Sequence, residues 1–459
     1  MGVFLVEKNY ISTLSFIKKI IMSNDFMKQH LVSERSRTCE AQVCKANLLS
    51  TKRSFFTRSS IKLSFSILFY LILSLSKKSA QLKLDLFFKD YNEYNKTNKS
   101  VVASSFFEAR LKIRPEAFKD INCKFIDWFY GNNKKRILFD KFNVFASDGS
   151  YFEIPADAKL KKYFEFKSKS DKTNTVRAGA NVIFDVCNNK TVCAILHKYT
   201  VWERETFAEM FIDFQKLAVA KQTNNLFVFD RGFSSSELVK LIENAGMFYL
   251  FRLKKGAFKF ISKLASDDEI ITHTTYDKIT FTTRIITVTL ASGEKEILMT
   301  NIFDEKYDNL FFKELYFLRW GVETNYNYLK NKLHIEDFQS LNPQALFQNF
   351  FATIFMSNMI SLVAEEVNIE IDKNDILLLK TGKSKYRHKA NINYIIGRIS
   401  GDFIKSLMHK TCRQAKVLYD RFFIQAVKSK IPIRPNRKVP RIFKMKKVDK
   451  FFRNIRVHI

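Results

Sequence analysis

The sequence lacks the cysteine and histidine patterns of the common zinc sites. Its six cysteines form no CxxC pair, and its seven histidines include no HExxH pair. Six cysteines in 459 residues are also too few for a disulfide scaffold, so we expect free thiols in a reducing cytoplasm. Any metal ion would therefore be held by carboxylates.

Acidic residues are scarce relative to basic ones. Lysine and arginine number 77 against 46 aspartates and glutamates, which gives a formal charge of +31. Such an excess points to a polyanionic partner, and nucleic acid is the first candidate. The 47 phenylalanines and only 12 glycines are also typical of an AT-rich coding sequence, so charge alone does not decide between the two explanations.

Long hydrophobic runs are absent as well. The most apolar stretch, Leu63 to Ser76, is interrupted by four serines and is shorter than the roughly 20 residues that a membrane span needs. It also lies too deep in the chain for a signal peptide. The stretch predicts a buried helix and no membrane association, with a membrane-associated protein as the alternative.

The pattern along the chain changes from helical to strand-like and back. The first sixty residues are basic and without a pattern, whereas apolar residues at three- and four-residue steps predict helices from Lys77 to about Tyr130. Short apolar runs between Arg136 and Leu253, with one helical stretch from Glu203 to Lys221, predict an α/β sheet. We therefore divide the chain into an unassigned region 1–76, a helical domain 77–135, an α/β core 136–253 and 304–370, a separate β-rich insertion 254–303, and a basic region 371–459.

Helices and a basic tail complete the chain. Amphipathic helices are predicted from about Asp308 to Leu333 and from about Pro343 to Glu366. From Lys428 the last 32 residues carry twelve lysines or arginines and one acid. Prolines prevent a regular helix there, so an extended basic tail suited to phosphate contact is expected.

Three carboxylates stand out as candidates for chemistry. Asp148 in NVFASDGS and Asp230 in NLFVFDRGF follow apolar, strand-like runs, and parallel strands bring such residues to one edge of a sheet. The third, Glu323, lies in ELYFLRWGVETNYNYLKNKL together with Tyr316, Arg319 and Lys330. Steps of three, four and seven residues would place these four side chains on one helical face, where a metal and phosphates could be held together.

These residues resemble those of the DDE transposases of bacterial insertion sequences, in particular insertion sequence family four. The matching features are DGS at Asp148, DRGF at Asp230, and the signature Y-x2-R-x3-E-x6-K from Tyr316 to Lys330. The segment SSFFEARLKIRPEAF and the terminal IPIRPNRKVPR are also similar to that family, so the resemblance covers about residues 80–459.

The resemblance implies a fold, a metal centre and a reaction. The fold would be a ribonuclease-H-like core, a mixed sheet flanked by helices, with the β-strand insertion between Asp230 and Glu323, a helical N-terminal domain and the basic tail. Asp148, Asp230 and Glu323 would bind two Mg²⁺ ions, for which Mn²⁺ can substitute. The reaction would be metal-dependent cleavage of DNA at the element ends, followed by strand transfer into target DNA.

The resemblance also implies contacts with double-stranded DNA, both the terminal inverted repeats and the target. A dimer on DNA and a cytoplasmic, nucleoid-associated location in a bacterium are expected with it. The residues expected to contact DNA are Tyr316, Arg319, Lys330, Arg231, Arg434, Arg437, Lys438 and Arg441.

One departure concerns excision through a DNA hairpin. Relatives that form a hairpin stack a flipped base on an aromatic residue of the insertion, but no tryptophan lies between Arg231 and Arg319 here. Phe258, Phe260, Tyr276 and Phe281 are the alternatives. Two other functions stay open: an inactive or repurposed DNA-binding protein with this fold, and a metal-dependent nuclease without strand transfer.

Overall fold

The structure is a computed structural model that describes most of the chain in two units. Unit 1 is Met1–Phe125 with Lys332–Ile459, and unit 2 is Ile126–Asn331. The described residues are 2–31, 62–74, 79–132, 136–138, 141–166, 176–254, 256–274, 278–290, 293–338, 340–382, 385–409 and 412–434.

Unit 1 is built from helices. The central one is α12, which begins at Pro343 after the N-cap Asn342, whose side chain accepts a hydrogen bond from the Gln344 amide. It packs against α1, α3, α13 and α14. The helix bounds are α1 Gly2–Ile21, α2 Asn24–Gln29, α3 Phe65–Leu73, α4 Ala80–Asn95, α5 Ala103–Arg110, α6 Glu116–Asn132, α12 Pro343–Lys380, α13 Ile392–Met408 and α14 Cys412–Lys428. Two short strands, β9 His388–Lys389 and β10 Ile431–Pro432, pair with each other.

The core of unit 1 is apolar and aromatic. The apolar stretch that begins at Leu63 forms α3, whose residues Ile67 to Leu73 are all buried, as the sequence predicts for a core helix. Phe69 of α3 stacks on Phe118 of α6 with ring centroids 4.3 Å apart. Among the described residues, α12 alone is long and apolar enough to cross a membrane, but most of that helix is buried inside the protein.

Two parts of unit 1 depart from the sequence-based expectation. Helices α1 and α2 lie within the first sixty residues, where no pattern was apparent, and α12 extends fourteen residues beyond the predicted end at Glu366. The basic tail is described only as far as Arg434, so Arg437, Lys438 and Arg441 lie outside the described residues.

Unit 2 contains a mixed sheet flanked by helices. Its eight strands lie in the order β3-β2-β1-β4-β5-β8-β7-β6. Strands β1, β4 and β5 run parallel to each other, and the remaining neighbours pair antiparallel. The strand bounds are β1 Asn143–Ile154, β2 Val176–Asp185, β3 Lys190–His197, β4 Asn225–Phe229, β5 Phe248–Leu253, β6 Asp268–Thr274, β7 Thr280–Thr289 and β8 Lys295–Thr300.

The strands predicted for a separate insertion belong to this same sheet. Strand β8 pairs antiparallel with β5, where Leu250 faces Thr300, and β7 and β6 continue outward from it. The strands of residues 254–303 thus extend the same sheet as β1 to β5. The reason is that β5 needs a hydrogen-bonding partner on its second side, which β8 supplies.

Both faces of the central strands are covered, which explains their unbroken apolar runs. Val144, Leu226 and Val228 point to one face and pack with Phe312 and Leu315. Alternate residues point to the other face, where Phe227 contacts Phe207 and Phe211. The sheet therefore lies between α8 (Glu203–Lys216) on one side and α10 (Asn309–Phe317) on the other.

The helices of unit 2 differ from the predictions at several positions: Ala158–Tyr163 and Ser236–Asn244 were not predicted, and the helix that begins at Glu203 ends at Lys216, before the predicted Lys221. The single helix expected from Asp308 to Leu333 is two, α10 and α11, separated by a turn at Leu318 and Arg319. Gly321 lets α11 closely approach the residue that follows β2, since a Cβ there would lie 3.3 Å from Cγ1 of Val186. The bounds are α7 Ala158–Tyr163, α8 Glu203–Lys216, α9 Ser236–Asn244, α10 Asn309–Phe317 and α11 Trp320–Asn331, with 3₁₀ helices at Ala218–Lys221 and Lys259–Lys263.

Candidate active site

The two aspartates lie side by side on adjacent parallel strands. In the pairing of β1 with β4, Ser147 is the partner of Phe229, so the residue that follows each partner is an aspartate. Adjacent strands are about 4.8 Å apart, which brings the backbones of Asp148 and Asp230 together. Asp230 comes directly after the end of β4, whereas Asp148 lies within β1, which continues to Ile154.

Arg319 joins the first aspartate to the glutamate. Its Nη1 lies 3.6 Å from Oδ2 of Asp148, and its Nη2 donates to Oε1 of Glu323 at 2.8 Å. The arginine is buried, with 5% of its side chain exposed, so its charge needs acids nearby, and Asp230 acts on it together with Glu323 and Asp148. The turn between α10 and α11 puts Arg319 at this position, and the first turn of α11 carries Glu323.

Tyr316 and Arg252 contact the second aspartate. The Tyr316 hydroxyl donates to Oδ1 of Asp230 at 3.2 Å, and burial raises the pKa of this phenol, which keeps it a donor. Nη1 of Arg252, on β5, lies 4.0 Å from the same oxygen, while its Nη2 pairs with Glu296 at 2.7 Å. Tyr316 and Arg319 of the signature thus contact the three acids. The signature residues do not share one continuous helix, because a turn separates α10 from α11.

Of the three candidate acids, Asp148 is the one whose pKa is clearly shifted by its surroundings. Burial raises its pKa to about 6, opposed by the Gly149 amide and by Arg319, and the charges of Glu203 and Glu323 raise it further. The Gly149 amide donates to Oδ1 of Asp148 at 2.9 Å. A carboxylate in this environment gains from a nearby cation.

Helix α11 is attached to β1 beside the acids. The Tyr326 hydroxyl donates to the carbonyl of Asp148 at 2.8 Å and lies 3.1 Å from that of Ala180. Lys330 donates to Oγ of Ser150 and to the carbonyl of Tyr151, both at 2.8 Å. The ammonium group of Lys330 is thus hydrogen-bonded to β1 close to Asp148.

Two residues near the acids escaped the sequence analysis. Glu203, at the start of α8, has a raised pKa because its carboxyl group is partly desolvated and the charge of Asp230 is near. Arg252 lies in the apolar run of β5. A signal for Glu203 was available, since an acid in the first turn of a helix that follows a strand can reach the edge of the sheet, but many such acids merely stabilise the helix dipole.

The donor set fits a hard divalent cation, because carboxylate oxygens are the ligands that Mg²⁺ prefers. In the described part of the chain, however, no three His, Cys, Asp or Glu side chains lie close enough together to form a ready metal site. Arg319 lies between Asp148 and Glu323, where its guanidinium supplies positive charge. The assignment of a metal to Asp148, Asp230 and Glu323 therefore stays a prediction from the sequence.

The other predicted contact residues are distributed differently. Arg231, next to Asp230, has an exposed side chain, as does Arg434 in unit 1. Of the aromatic alternatives for base stacking, Phe260 and Phe281 are buried, with Phe258 and His273 packed against them. Tyr276 lies outside the described residues.

Comparison with known proteins points to one family. A family model for the transposase DDE domain matches residues 143–359, just under half of the chain, and this match supports a DDE transposase. No curated protein matches the chain. Among solved structures, the chain is similar to a piggyBac transposase in a synaptic complex with hairpin DNA, at 10% identity and a TM-score of 0.45, covering 91% of this chain and 84% of that one. Similarity at this level establishes neither a shared fold nor a shared activity.

Proposed function

We propose that this chain is a DDE transposase of an insertion sequence, which cuts DNA at the element ends and joins them to a target. The observation that carries the proposal is the convergence of Asp148, Asp230 and Glu323 within the matched region. Asp148, within β1, lies beside Asp230, which directly follows β4; Arg319 contacts Asp148 and Glu323, and Tyr316 donates to Asp230.

We infer a ribonuclease-H-like core for unit 2. The inference is supported by the antiparallel strands β1 to β3, followed by β4 and β5 parallel to β1, and by acids on β1 and directly after β4. The DNA-recognising helical domain, 77–135, would lie mostly in unit 1, which includes residues 77–125 of it together with the basic tail. Insertion sequence family four is the subgroup that the signature favours.

Cleavage begins with hydrolysis in this proposal. Water attacks the phosphorus at the element end, the bond from phosphorus to the 3′-oxygen breaks, and the products are a 3′-hydroxyl on the element and a 5′-phosphate on the flank. The 3′-hydroxyl then attacks a phosphodiester of target DNA and displaces a target 3′-hydroxyl. Two bound Mg²⁺ or Mn²⁺ ions would supply the activation of the attacking oxygen and stabilise the leaving oxygen.

The side chains of this chain orient the reacting groups. Asp148, Asp230 and Glu323 would hold the ions. Arg319 holds Asp148 and Glu323 through its two terminal nitrogens, and its charge would face the phosphate backbone of DNA bound at these acids. Tyr316 fixes Asp230, while Lys330 and Arg231 would add positive charge near the phosphate backbone.

The partner would be double-stranded DNA bound by a dimer, because two element ends must be brought together. The charge of +31 supports a polyanionic partner. Phosphate contacts by Arg434, Arg437, Lys438 and Arg441 would add affinity without sequence information. The location that follows is the bacterial cytoplasm, at the nucleoid.

The proposal is tested by cleavage of labelled DNA that carries the terminal inverted repeat flanking the gene. We expect wild type to cut at the repeat boundary with Mg²⁺, whereas Glu323→Gln binds the DNA without cutting it. Glu314→Gln, an exposed acid on α10, is the matched control and should cut as wild type does. If wild type and both variants bind the DNA without cutting it, the protein is an inactive DNA-binding protein. Cutting without joining would instead favour a simple nuclease, and cutting by Glu323→Gln would mean that Glu323 is not the catalytic acid.

A further inference from the structure

A two-stranded arm of unit 1, residues 385–390 and 430–434, is held on helix α12 by one buried carboxylate. Asp375 of α12 is 1% exposed and accepts a hydrogen bond from Nζ of Lys430, directly before β10, at 2.7 Å. The same carboxylate accepts hydrogen bonds from the backbone amide of His388, on β9, and from its Nδ1 at 3.0 Å. Both strands of the arm are therefore attached to a single residue of the helix.

Further hydrogen bonds fix the course of the arm along α12. Asn368, roughly two helical turns before Asp375, accepts from the amide of Ala390 through Oδ1 at 2.7 Å. Across the arm, the amide of Ile433 donates to the carbonyl of Arg387 at 2.7 Å. The two strands thus keep a defined position on the helix, although each is only two residues long.

The arm carries positive charge that the adjoining sequence does not neutralise. From Ile376 to Gly401 the chain has six lysines or arginines and no aspartate or glutamate. Lys385 and Lys389 are exposed, as is Arg434, two residues after β10. The antiparallel pairing of β9 with β10 brings these cations together on one short structure.

Cations that are already held in place bind a polyanion at lower entropic cost than cations on a loose segment. The regular array of phosphates in double-stranded DNA is a polyanion of this kind, and it is the partner that the net charge of +31 favours. The buried pairing of Asp375 leaves the outward-facing lysines free of a neighbouring acid on the arm itself.

We propose that the arm binds the phosphate backbone of double-stranded DNA through Lys385, Lys389 and Arg434, and that Asp375 is the positioning residue that holds it. This inference rests on the proposed function, because it takes DNA as the partner. It adds a DNA-binding surface that lies outside the matched transposase domain, residues 143–359.

Two aspartates of α12 provide a matched test, because Asp372→Asn and Asp375→Asn each remove one negative charge. Asp372 is exposed and pairs with Arg387 at 2.9 Å. If affinity followed net charge alone, both substitutions would strengthen DNA binding equally. We expect Asp375→Asn to weaken it instead, on the order of 10-fold, because the side chains of the freed arm must be ordered again on binding. Asp372→Asn should bind at least as tightly as wild type.

The measurement is fluorescence anisotropy of a labelled random-sequence duplex with the full-length protein. A second variant, Lys389→Gln, tests the surface itself and leaves Asp375 in place. Loss of one phosphate contact should weaken binding and reduce the slope of log affinity against log salt by about 1. Lys373→Gln is the control of equal charge, since Lys373 is an exposed lysine of α12 that pairs with Glu370.

Combining the two substitutions separates positioning from general stability. In the Asp375→Asn protein, Lys389→Gln should have little further effect on affinity, because the arm is already displaced. If Asp375 only stabilised the fold, the effects of the two substitutions on DNA affinity would add. Circular dichroism verifies folding, and if Asp375→Asn does not fold, the comparison of Lys389→Gln with Lys373→Gln decides alone.

The outcomes distinguish this inference from the proposed function. If Asp375→Asn binds DNA as Asp372→Asn does, or if Lys389→Gln and Lys373→Gln have the same salt slope, the arm is not a DNA-binding surface. The proposed catalytic site then survives as long as the repeat DNA is still cut. If wild type binds no DNA, both are refuted. Weakening by Asp375→Asn and Lys389→Gln, but by neither control, supports the arm whether or not DNA is cut.

Discussion

Nη2 of Arg319 donates to Oε1 of Glu323 at 2.8 Å across the start of a new helix. The two residues are four apart, yet they do not form an ordinary surface pair along one helix, because the helical path is broken at Leu318 and Arg319. The same guanidinium reaches Asp148 with its other terminal nitrogen. One side chain thus connects a strand acid with a helix acid.

Replacing Arg319 by lysine should therefore impair the site although the charge is kept. A single ammonium cannot reach two carboxylates with the fixed fork of a guanidinium. We expect repeat-end cleavage to fall by about 10-fold or more, which corresponds to roughly 1.4 kcal/mol or more. Arg387→Lys, which changes an exposed pair with Asp372, is the control, and equal rates for the two variants would contradict the bridging role.

Tyr316→Phe should reduce cleavage while leaving the fold intact. The substitution keeps the buried ring but removes the hydroxyl that donates to Asp230. A hydrogen bond to a charged acceptor contributes about 1.5–3 kcal/mol, so a loss of roughly 10-fold or more in the single-turnover cleavage rate is expected. A wild-type rate, measured with the same DNA and metal, would show that this hydrogen bond does not matter for the reaction.

Asp148→Asn should stabilise the metal-free protein at neutral pH. The pKa of Asp148 rises from 3.8 to about 6 on folding, so the folded state favours the protonated acid. The wild type therefore loses stability as the pH rises from about 4 through 6, by up to about 3 kcal/mol, and the asparagine variant does not. Thermal unfolding in chelator at pH 4 and pH 7 measures this, and parallel pH profiles of the two proteins would speak against it.

Binding to DNA should depend steeply on salt. With a charge of +31, contacts to phosphates release counterions when the complex forms. If six or more phosphates are contacted, affinity should fall about 1000-fold or more between 50 and 200 mM salt. Fluorescence anisotropy with a labelled duplex provides the measurement, with random DNA of equal length beside it. A flat salt response would mean that the basic residues do not contact the phosphate backbone.

The position of the two aspartates could be predicted from the sequence, whereas the position of Glu203 could not. Asp148 and Asp230 follow apolar runs that are visible in the chain itself, and parallel pairing of the two strands brings them together. Glu203 reaches the site only because Asn181 and Thr206 fix the first turn of α8. The contact with Asn181 joins residues 22 apart in the sequence and follows no periodicity.

Two other differences have the same cause. Helix α1 lies in a region that shows no clear pattern, but Leu14, Ile17 and Ile21 are buried, and the helix packs against α12, α13 and α14. Tertiary packing rather than local propensity stabilises such a helix. Likewise, the pairing of β8 with β5 depends on a strand edge that exists only in the folded sheet.

The place of β8 in the sheet also limits how the chain can be shortened. Residues 254–303 supply the neighbour of β5, so their deletion would uncover a strand whose Tyr249, Leu250 and Phe251 are buried in the intact protein. An uncovered edge of apolar residues pairs readily with the same edge of another molecule. A truncated form of this protein would thus tend to polymerise rather than persist as a smaller enzyme. Natural deletions of this segment would cause the protein to aggregate, whatever their effect on its activity.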